Sequence, residues 1–400
     1  MSTNNLGSLA IDNNVKVNIE KIELPSYVTR NMFDCYEQQL FTLCQLYRGE
    51  FWKLFVNQSF KFVNEGDGQL EKNYKARGNV TSSAANEYGI HLEELHNHDE
   101  IVFKTHQELY LAEIDHKCYE FTQDLEGEGT HCLIIYGEDG DKYLVNDNYY
   151  RKQSLLINKK ELNEGMVRYY RVIVGDENKD KESAELKAFF SNNILYEYKK
   201  VYEALTNNEN DNSNELIDFL TEIYKYCNKV ALVIRNVKDD EKKEYIETCA
   251  KVVEAQVKHL QNSVYAVIKK VIREVAFDYN LTKEILLEHK KEVAIVQNVL
   301  DEMRKIVSGE ASLADGLLEQ LKKYESNYDG ELVINKNDSV YDFHDKLTVL
   351  FLLNFLEEGN AGIDVNYEDI TDCDTYLDFL IVTYTKLLEE VSIQSIQRKI

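Results

Sequence analysis

The sequence predicts an α+β protein, with a sheet-forming N-terminal part followed by a mostly α-helical C-terminal region. Between Glu108 and Asp176, short segments rich in Tyr, Val and Ile are separated by turn residues such as those of GEDGDK. This pattern is typical of an antiparallel sheet. Beyond Asp176, apolar residues recur at three- and four-residue steps through long segments, which indicates amphipathic helices.

The first helix is predicted to begin at about Cys35, in RNMFDCYEQQLFTLCQLYRGEF. After it, apolar residues follow a helical spacing: Leu40, Phe41, Leu43, Cys44, Tyr47 and Phe51. Cys35 then lies in the first turn, where backbone N–H groups and the helix dipole favour a thiolate over a thiol. Position alone also fits a half-buried cysteine that merely starts a helix.

Two predicted strands place a histidine beside a carboxylate. His131 opens the apolar segment THCLIIYG and Asp147 ends KYLVND, and the turn between them folds the two strands into a hairpin. The start of the first strand lies opposite the end of the second, so His131 and Asp147 are expected to be cross-strand neighbours. A nucleophilic cysteine needs such a base, held by an orienting partner.

The helical region contains three long amphipathic segments before residue 278. They are AELKAFFSNNILYEYKKVYEAL, ELIDFLTEIYKYCNKVALVIRN and EYIETCAKVVEAQVKHLQNSVYAVIKKVIREVAF, and the polar run TNNENDNSN separates the first two. Each is predicted to be helical.

The composition excludes several classes of partner. The chain has 400 residues, 44% of them hydrophobic, and a net charge of −25. It can bury a full core, but it would repel a nucleic-acid backbone or an anionic lipid surface. No apolar run approaches a membrane span, and Met1 is followed by polar residues without a secretion signal. We expect a cytoplasmic protein that binds neither nucleic acid nor membrane.

Metal, nucleotide and disulfide chemistry are not indicated. The seven cysteines are odd in number and form no CxxC pair, which favours reduced thiols. The histidines of HLEELHNHDE match no helical ligand pair, so a solvated loop is favoured over a metal site. Neither GxGxxG nor GxxxxGK[ST] occurs, so nucleotide-driven ligation is disfavoured. We expect no cofactor and no metal.

Two segments carry a resemblance to a known family. DCYEQQLFTLCQLYRGEFWKLFVNQSFKF, around Cys35, and GTHCLIIYGEDGDKYLVND, from Gly129 to Asp147, frame roughly residues 20–175. In their order of Cys, His and Asp they resemble papain-like cysteine enzymes. Within that group they resemble in particular the branch that contains bacteriocin-processing peptidases and the N-terminal domain of butirosin biosynthesis protein H.

The resemblance implies a papain-like cysteine-protease fold for the N-terminal domain and a triad. Enzymes like butirosin biosynthesis protein H pass an acyl chain from a carrier-protein thioester to an amine. Cys35 would accept the acyl chain, His131 would act as general base and acid, and Asp147 would orient His131. Related peptidases place a Gln about six residues before the cysteine, where this chain has Thr29.

That departure leaves the oxyanion donor open. Asn31 and Arg30 are candidate side-chain donors, besides the backbone N–H of Cys35. Asp34 would raise the thiol pKa if it pointed at the sulfur, but it is better suited to capping the helix.

The last ninety residues resemble an acyl or peptidyl carrier protein. Residues 311–400 hold 7 basic and 18 acidic groups, a net charge of −11, which is typical of such units. The family's attachment serine is replaced in the triplet Asp345-Lys346-Leu347, and a lysine side chain cannot accept phosphopantetheine. The resemblance therefore implies a degenerate carrier that serves as structure or docking surface. Two amphipathic helices with a link are the alternative.

The predicted organisation is a papain-like catalytic domain over residues 1–178, a helical domain over 179–310 and the carrier-like unit over 311–400. The expected function is amide formation in secondary-metabolite biosynthesis, with a carrier-protein thioester as acyl donor and a small amine or diamine as acceptor. The alternatives are a cysteine peptidase or thioesterase on the same triad, and a binding protein without enzymatic activity.

Overall fold

The computed structural model describes residues 33–60, 74–104, 108–122, 129–176, 182–206, 213–240, 242–273 and 279–310. These residues form an α+β protein, as expected. They divide into two compact units, which fall within Met1–Leu54 and Arg77–Lys179 for the first and within Phe55–Ala76 and Asp180–Ile400 for the second. The carrier-like segment 311–400 lies outside the described residues.

The first unit contains a six-stranded antiparallel sheet, which confirms the predicted sheet. Its strands are β1 (Ile90–Glu94), β2 (Tyr110–Asp115), β3 (Thr130–Asp139), β4 (Lys142–Asp147), β5 (Lys152–Asn158) and β6 (Met166–Val174). Their spatial order is β1-β6-β2-β3-β4-β5. Strands β3 and β4 form the predicted hairpin, joined by Gly140 and Asp141, and so carry the two ends where His131 and Asp147 lie.

Among the described residues, three α-helices accompany the sheet. They are α1 (Cys35–Arg48), α2 (Tyr74–Tyr88) and α3 (Lys159–Gly165). Helix α1 begins at Cys35, as predicted, and packs against β3. It ends earlier than the apolar spacing indicates, because Gly49 adopts a left-handed backbone (φ 75°) and its N–H bonds to Gln45 O. Phe51 therefore lies beyond the helix and not on its apolar face.

The sheet has a different environment on each face of β3. One face carries Leu133 and Ile135 into an apolar core that also contains Tyr110, Tyr143 and Leu162. Successive side chains of a strand point to opposite faces. The buried side chains of Cys132 and Ile134 therefore lie on the other face, against which α1 packs.

The edge strand β1 corrects the expectation of a solvated loop in HLEELHNHDE. Ile90–Glu94 pairs with β6 in a continuous antiparallel register, and His91 lies within this strand. Ile90 is buried, whereas His91, Glu93 and Glu94 are exposed. The solvent-exposed side chains of an edge strand are often polar, so this segment lacks the apolar pattern from which a strand is predicted.

The second unit contains five α-helices among the described residues. They are α4 (Glu182–Phe190), α5 (Ile194–Thr206), α6 (Ser213–Ile234), α7 (Lys243–Ile272) and α8 (Tyr279–Ser308). The described residues of the three predicted segments are mainly helical, but the first segment contains two helices instead of one. Asn192 Nδ2 donates to Phe189 O (2.9 Å) and Asn193 Oδ1 accepts from the backbone N of Tyr196 (2.9 Å), so these amides end one helix and start the next.

The segment after Leu54 belongs to the second unit. Lys229 Nζ lies 5.4 Å from the ring centre of Phe55, and the ring of Phe60 lies 6.1 Å from that of Phe219 and 5.9 Å from that of Tyr226. The predicted domain of residues 1–178 includes this segment, because the sequence does not show which core its aromatic side chains enter.

Among the described helices, none combines the length and apolar character needed to cross a membrane.

Candidate active site

Cys35 is the first residue of α1, and its neighbour Asp34 caps that helix. Asp34 Oδ1 accepts from the backbone N of Glu37 (2.7 Å), and Glu37 Oε2 accepts in return from the backbone N of Asp34 (3.2 Å). In this capping box the Asp34 carboxylate binds the start of the helix, as the sequence indicated. Cys35 is 9% exposed. Its sulfur therefore lies at the positive end of the helix, nearly excluded from water.

Side-chain hydrogen bonds attach α1 to the elements that carry the other candidate residues. Gln39, one turn after Cys35, donates from Nε2 to the backbone O of Cys132 on β3 (3.1 Å). Asn148, directly after β4, donates from Nδ2 to Thr42 Oγ1 (2.6 Å). Helix α1 is thus bonded both to β3 and to the segment that follows β4.

His131 and Asp147 are hydrogen-bonded across the β3–β4 hairpin. His131 Nε2 lies 2.8 Å from Asp147 Oδ2, and the two side chains are 4% and 0% exposed. Ile134 pairs with Asn146, so one further step along the register brings Asp147 opposite Leu133. His131 is then the diagonal neighbour of Asp147 on the same face. The expected proximity of imidazole and carboxylate is confirmed.

Asp147 is held by three further donors. The hydroxyl of Tyr119 donates to Oδ2 (2.7 Å), the oxygen that His131 also contacts. The backbone N–H groups of Tyr149 and Tyr150 donate to Oδ1 (3.1 and 3.3 Å). A buried carboxylate with both oxygens bonded in this way has a defined orientation, and it fixes the imidazole that it contacts.

Three tyrosine rings surround the imidazole. The ring of Tyr119 stacks on His131 at a centroid distance of 5.2 Å and an interplanar angle of 11°. Tyr149 approaches edge-on at 5.6 Å, and Tyr150 lies tilted at 5.2 Å. The rings shield the His131–Asp147 hydrogen bond from water, which strengthens it.

The surroundings of Cys35 favour its thiolate. As a thiol, Cys35 donates from Sγ to the backbone O of Thr130 (3.8 Å), and other interactions outweigh this contact. A hydrogen bond with Cys132 lowers the pKa of Cys35 most. Burial opposes that effect, and a hydrogen bond and charge attraction with His131 lower the pKa further, so it lies at about 5. The negative charge of Asp34 has a smaller, raising effect.

His131 is correspondingly shifted towards its protonated form. Burial by itself lowers its pKa, but the hydrogen bonds to Asp147 and Cys35 outweigh burial and raise the pKa to about 9. With Asp147 bonded to Nε2, the Nδ1 atom is the ring nitrogen that remains for Cys35. The arrangement supports a thiolate–imidazolium pair near neutral pH, with one nitrogen serving the sulfur and the other the carboxylate.

The other described thiols differ from Cys35. Burial raises the pKa of Cys44 well above its ordinary value and that of Cys227 to about 12, and it also raises the pKa of Cys249. Cys118 is exposed on the surface. Among these thiols, the combination of a helix start and a histidine partner occurs at Cys35.

The remaining site predictions concern the oxyanion donors and a metal site. Arg30 and Asn31, the candidate oxyanion donors, lie outside the described residues. The backbone N–H of Cys35 belongs to the first turn of α1, whose N–H groups have no partner within the helix. In the described part of the chain, no group of three or more His, Cys, Asp or Glu side chains could hold a metal ion.

Two residues of the site were not found from the sequence. Tyr119 follows β2 and is 28 positions from Asp147, and nothing in HKCYEF indicates that its hydroxyl reaches a carboxylate. Cys132 directly follows His131, and strand alternation could have placed it on the face opposite the imidazole. Its interaction with Cys35 depends on where α1 packs.

The comparisons with known proteins add no family to this geometry. Neither the protein-family models nor the curated proteins contain a match to the chain.

Proposed function

We propose that the protein is a cysteine-dependent acyltransferase of papain-like fold that forms amides. The observation that carries the proposal is the thiol of Cys35 at the start of α1, with its pKa lowered to about 5 beside the His131–Asp147 pair. A nucleophile, a base within hydrogen-bonding reach and an orienting carboxylate are the three parts that covalent acyl transfer requires. The order Cys, His, Asp on a helix start and a hairpin adds the resemblance to papain-like enzymes.

In the first step, the thiolate of Cys35 attacks the carbonyl carbon of a carrier-bound thioester. A carbon–sulfur bond forms to Cys35 as the bond to the carrier's thiol breaks, and His131 gives its proton to that departing thiol. The exchange of one thioester for another needs little further activation. The backbone N–H of Cys35 would stabilise the oxyanion.

In the second step, a small amine attacks the acyl–Cys35 thioester. His131, now neutral, takes a proton from the amine as the carbon–nitrogen bond forms, and the thiolate of Cys35 leaves. The net reaction converts a thioester and an amine into an amide and a thiol, and it returns the thiolate–imidazolium pair. The step consumes no nucleotide, which agrees with a sequence that lacks phosphate-binding glycine loops.

The proposed donor is a carrier protein and the proposed acceptor is a small amine or diamine, as in secondary-metabolite biosynthesis. Support for a carrier donor comes from residues 311–400, whose acidic composition and helical spacing resemble a carrier domain without an attachment serine. Such a segment would dock or mimic a partner carrier and would carry no acyl group itself.

Intact-mass spectrometry tests the proposal. The full chain is mixed with a short-chain acyl thioester, and a diamine is then added. We expect a mass gain of one acyl group in the wild type, its absence in Cys35→Ala, its strong reduction in His131→Ala, and its discharge as an amide. Cys118→Ala removes an exposed thiol outside the site and should behave like the wild type.

Two results would redirect or overturn this assignment. Discharge of the acyl group to water at the same rate with and without the diamine would indicate a thioesterase or peptidase on the same residues. A mass gain that persists in Cys35→Ala, or no gain at all, would contradict the triad and favour a binding protein.

A further inference from the structure

Tyr119 contacts both His131, the proposed catalytic base, and Asp147, the carboxylate that orients it. Its hydroxyl donates to Asp147 Oδ2 (2.7 Å), the atom that His131 Nε2 contacts at 2.8 Å. Its ring stacks on the imidazole almost in parallel, at an angle of 11°. One side chain, 2% exposed, thus determines the position of the carboxylate oxygen and covers one face of the imidazole.

The backbone of Tyr119 is itself anchored to the strand that carries His131. Tyr119 N donates to His116 O (3.4 Å), and Thr122 N donates to Tyr119 O (2.9 Å). His116 N donates in turn to the backbone O of Gly129, two residues before His131 (3.1 Å). The ring of Phe121 also packs edge-on with the ring of Tyr119, at a centroid distance of 5.3 Å. Backbone hydrogen bonds therefore hold Tyr119 in place independently of the contacts that its side chain makes with His131 and Asp147.

We propose that Tyr119 is a positioning residue for the Cys35–His131 pair, which holds through its hydroxyl and its ring the orientation in which the imidazole contacts the sulfur. Positioning of this kind matters only if the pair reacts as proposed above, so the inference rests on the proposed function. Tyr119 reaches the reacting sulfur through His131 and Asp147, and it takes no proton itself.

Physical chemistry gives the hydroxyl and the ring separate roles. Asp147 Oδ2 receives two donors, so the carboxylate cannot rotate to meet His131 from another angle without losing the hydroxyl. Burial and the charge of Asp147 raise the pKa of Tyr119, so its hydroxyl remains a donor. The stacked ring limits rotation of the imidazole and excludes water from that face. Among the described residues, the titratable groups that face the imidazole are Cys35, Asp147, Tyr119, Tyr149 and Tyr150.

Alkylation of Cys35 by iodoacetamide tests this role without any acyl substrate. The full-length wild type and Tyr119→Phe are alkylated as a function of pH, and modification of Cys35 is followed in the tryptic peptide 31–48. We expect Tyr119→Phe to raise the midpoint of Cys35 reactivity by about one pH unit, because a loosened imidazole stabilises the thiolate less. The rate below the midpoint should then fall by about tenfold. Tyr119→Leu, which also removes the ring, should raise the midpoint further.

Tyr110→Phe is the matched control. Tyr110 is equally buried in the same sheet, and its hydroxyl donates to the backbone O of Val102 (2.8 Å). Tyr110 pairs with Ile135, four residues along β3 from His131. Loss of the Tyr110 hydroxyl should lower the stability of the protein without moving the midpoint of Cys35 alkylation. Thermal unfolding of each variant shows that the folded protein is being measured, and the midpoint then separates positioning from a merely structural role.

The outcomes distinguish this inference from the proposed function. A raised midpoint in Tyr119→Phe but not in Tyr110→Phe supports positioning, even if no acyl transfer is ever observed. An unchanged midpoint in Tyr119→Phe overturns the inference while acyl transfer by the wild type can still stand. An ordinary thiol midpoint in the wild type would overturn both, because there would be no pair to position.

Discussion

At the scale of single residues, the reactivity assigned to Cys35 arises from what surrounds its sulfur. Cys44 lies nine positions later in the same helix and is fully buried, and burial raises its pKa well above the ordinary value. Cys35 is also buried, but Cys132, His131 and the start of α1 stabilise its negative charge. Two thiols in one helix therefore have opposite properties, because neighbouring groups stabilise the negative charge of Cys35, whereas burial dominates at Cys44 and disfavours its charge.

The pH dependence of Cys35 alkylation follows from these shifts. Since the pKa of Cys35 is lowered from 9.0 to about 5, its thiolate is present above about pH 5 and is lost as the pH falls below it. Since the pKa of His131 is raised to about 9, the imidazolium persists up to about pH 9. We expect alkylation to reach a plateau between these values, and acyl transfer to fall again above the upper one.

Cys44 provides the internal control, because it lies in the same tryptic peptide 31–48. Mass spectrometry of that peptide across a pH range that spans both values measures the two thiols together. Cys44 should stay unmodified where Cys35 reacts. A midpoint for Cys35 near 9.0, its ordinary value, would show that the thiolate is not stabilised.

At the scale of elements, the start of α1 has a structural and an electrostatic role. The Asp34 carboxylate caps the helix through Glu37 N, and its negative charge raises the pKa of Cys35 slightly. The helix is therefore stabilised by a residue whose charge disfavours the neighbouring thiolate. Two substitutions separate these effects, since Asn retains a capping oxygen and removes the charge.

We expect Asp34→Ala to lower the free energy of unfolding by about 1 kcal/mol, because the helix loses its cap. Asp34→Asn should retain most of that stability. In both variants the midpoint of Cys35 alkylation should move to lower pH, because the raising charge is gone. Urea unfolding and the alkylation profile measure the two effects. Equal stability of the Ala and Asn variants would show that the cap contributes little.

The junction between α2 and β1 depends on Gly89. Its backbone is left-handed (φ 64°), and a Cβ built there would lie 2.3 Å from the backbone O of Asp176. Gly89 O also accepts from Gly175 N (2.7 Å), which joins this turn to the segment after β6. Gly49, at the end of α1, is also left-handed (φ 75°), but no atom lies within 4 Å of the position of its Cβ.

We expect Gly89→Ala to destabilise the protein more than Gly49→Ala. Both substitutions incur the backbone cost of a left-handed residue, about 1–2 kcal/mol. At Gly89 the backbone must also separate from Asp176. Chemical unfolding of both variants measures the difference, and equal loss at the two positions would mean that the close approach relaxes without cost.

At the scale of the whole molecule, the described residues of the candidate site all belong to the first unit. Cys35, His131, Asp147 and Tyr119 all fall within Met1–Leu54 and Arg77–Lys179. The second unit holds more than half of the chain, and its described part is mostly helical. Chemistry at Cys35 and the proposed recognition of a carrier protein can therefore be tested in separate experiments.

Deletion of residues 311–400 should leave alkylation of Cys35 unchanged, because the deleted segment contributes none of the described site residues. If the segment docks a partner carrier, transfer from a carrier-bound thioester should fall by about tenfold or more, while transfer from a small thioester is retained. Steady-state amide formation with the two donors provides the comparison. Equal loss with both donors would indicate that the segment stabilises the fold and does not dock.

Local sequence patterns were sufficient to predict part of the candidate site. The start of α1 at Cys35, the hairpin and the meeting of His131 with Asp147 were predicted, because a helix start, a two-residue turn and strand alternation are encoded within a few residues. The antiparallel sheet and the long helices were predicted for the same reason. The strand β1 and the break between α4 and α5 were not, since both depend on edge exposure and amide caps that blur the pattern.

By itself, the sequence determined the chemistry-bearing residue types, the elements on which they lie and the α+β class, because those depend on spacing along the chain. The tertiary structure decided that Tyr119 reaches Asp147, that Cys132 lies beside Cys35 and that residues 55–60 enter the second unit. These contacts join residues 28 to about 160 positions apart. Packing of whole elements brings such residues together, and no periodicity of the chain encodes which pairs will meet.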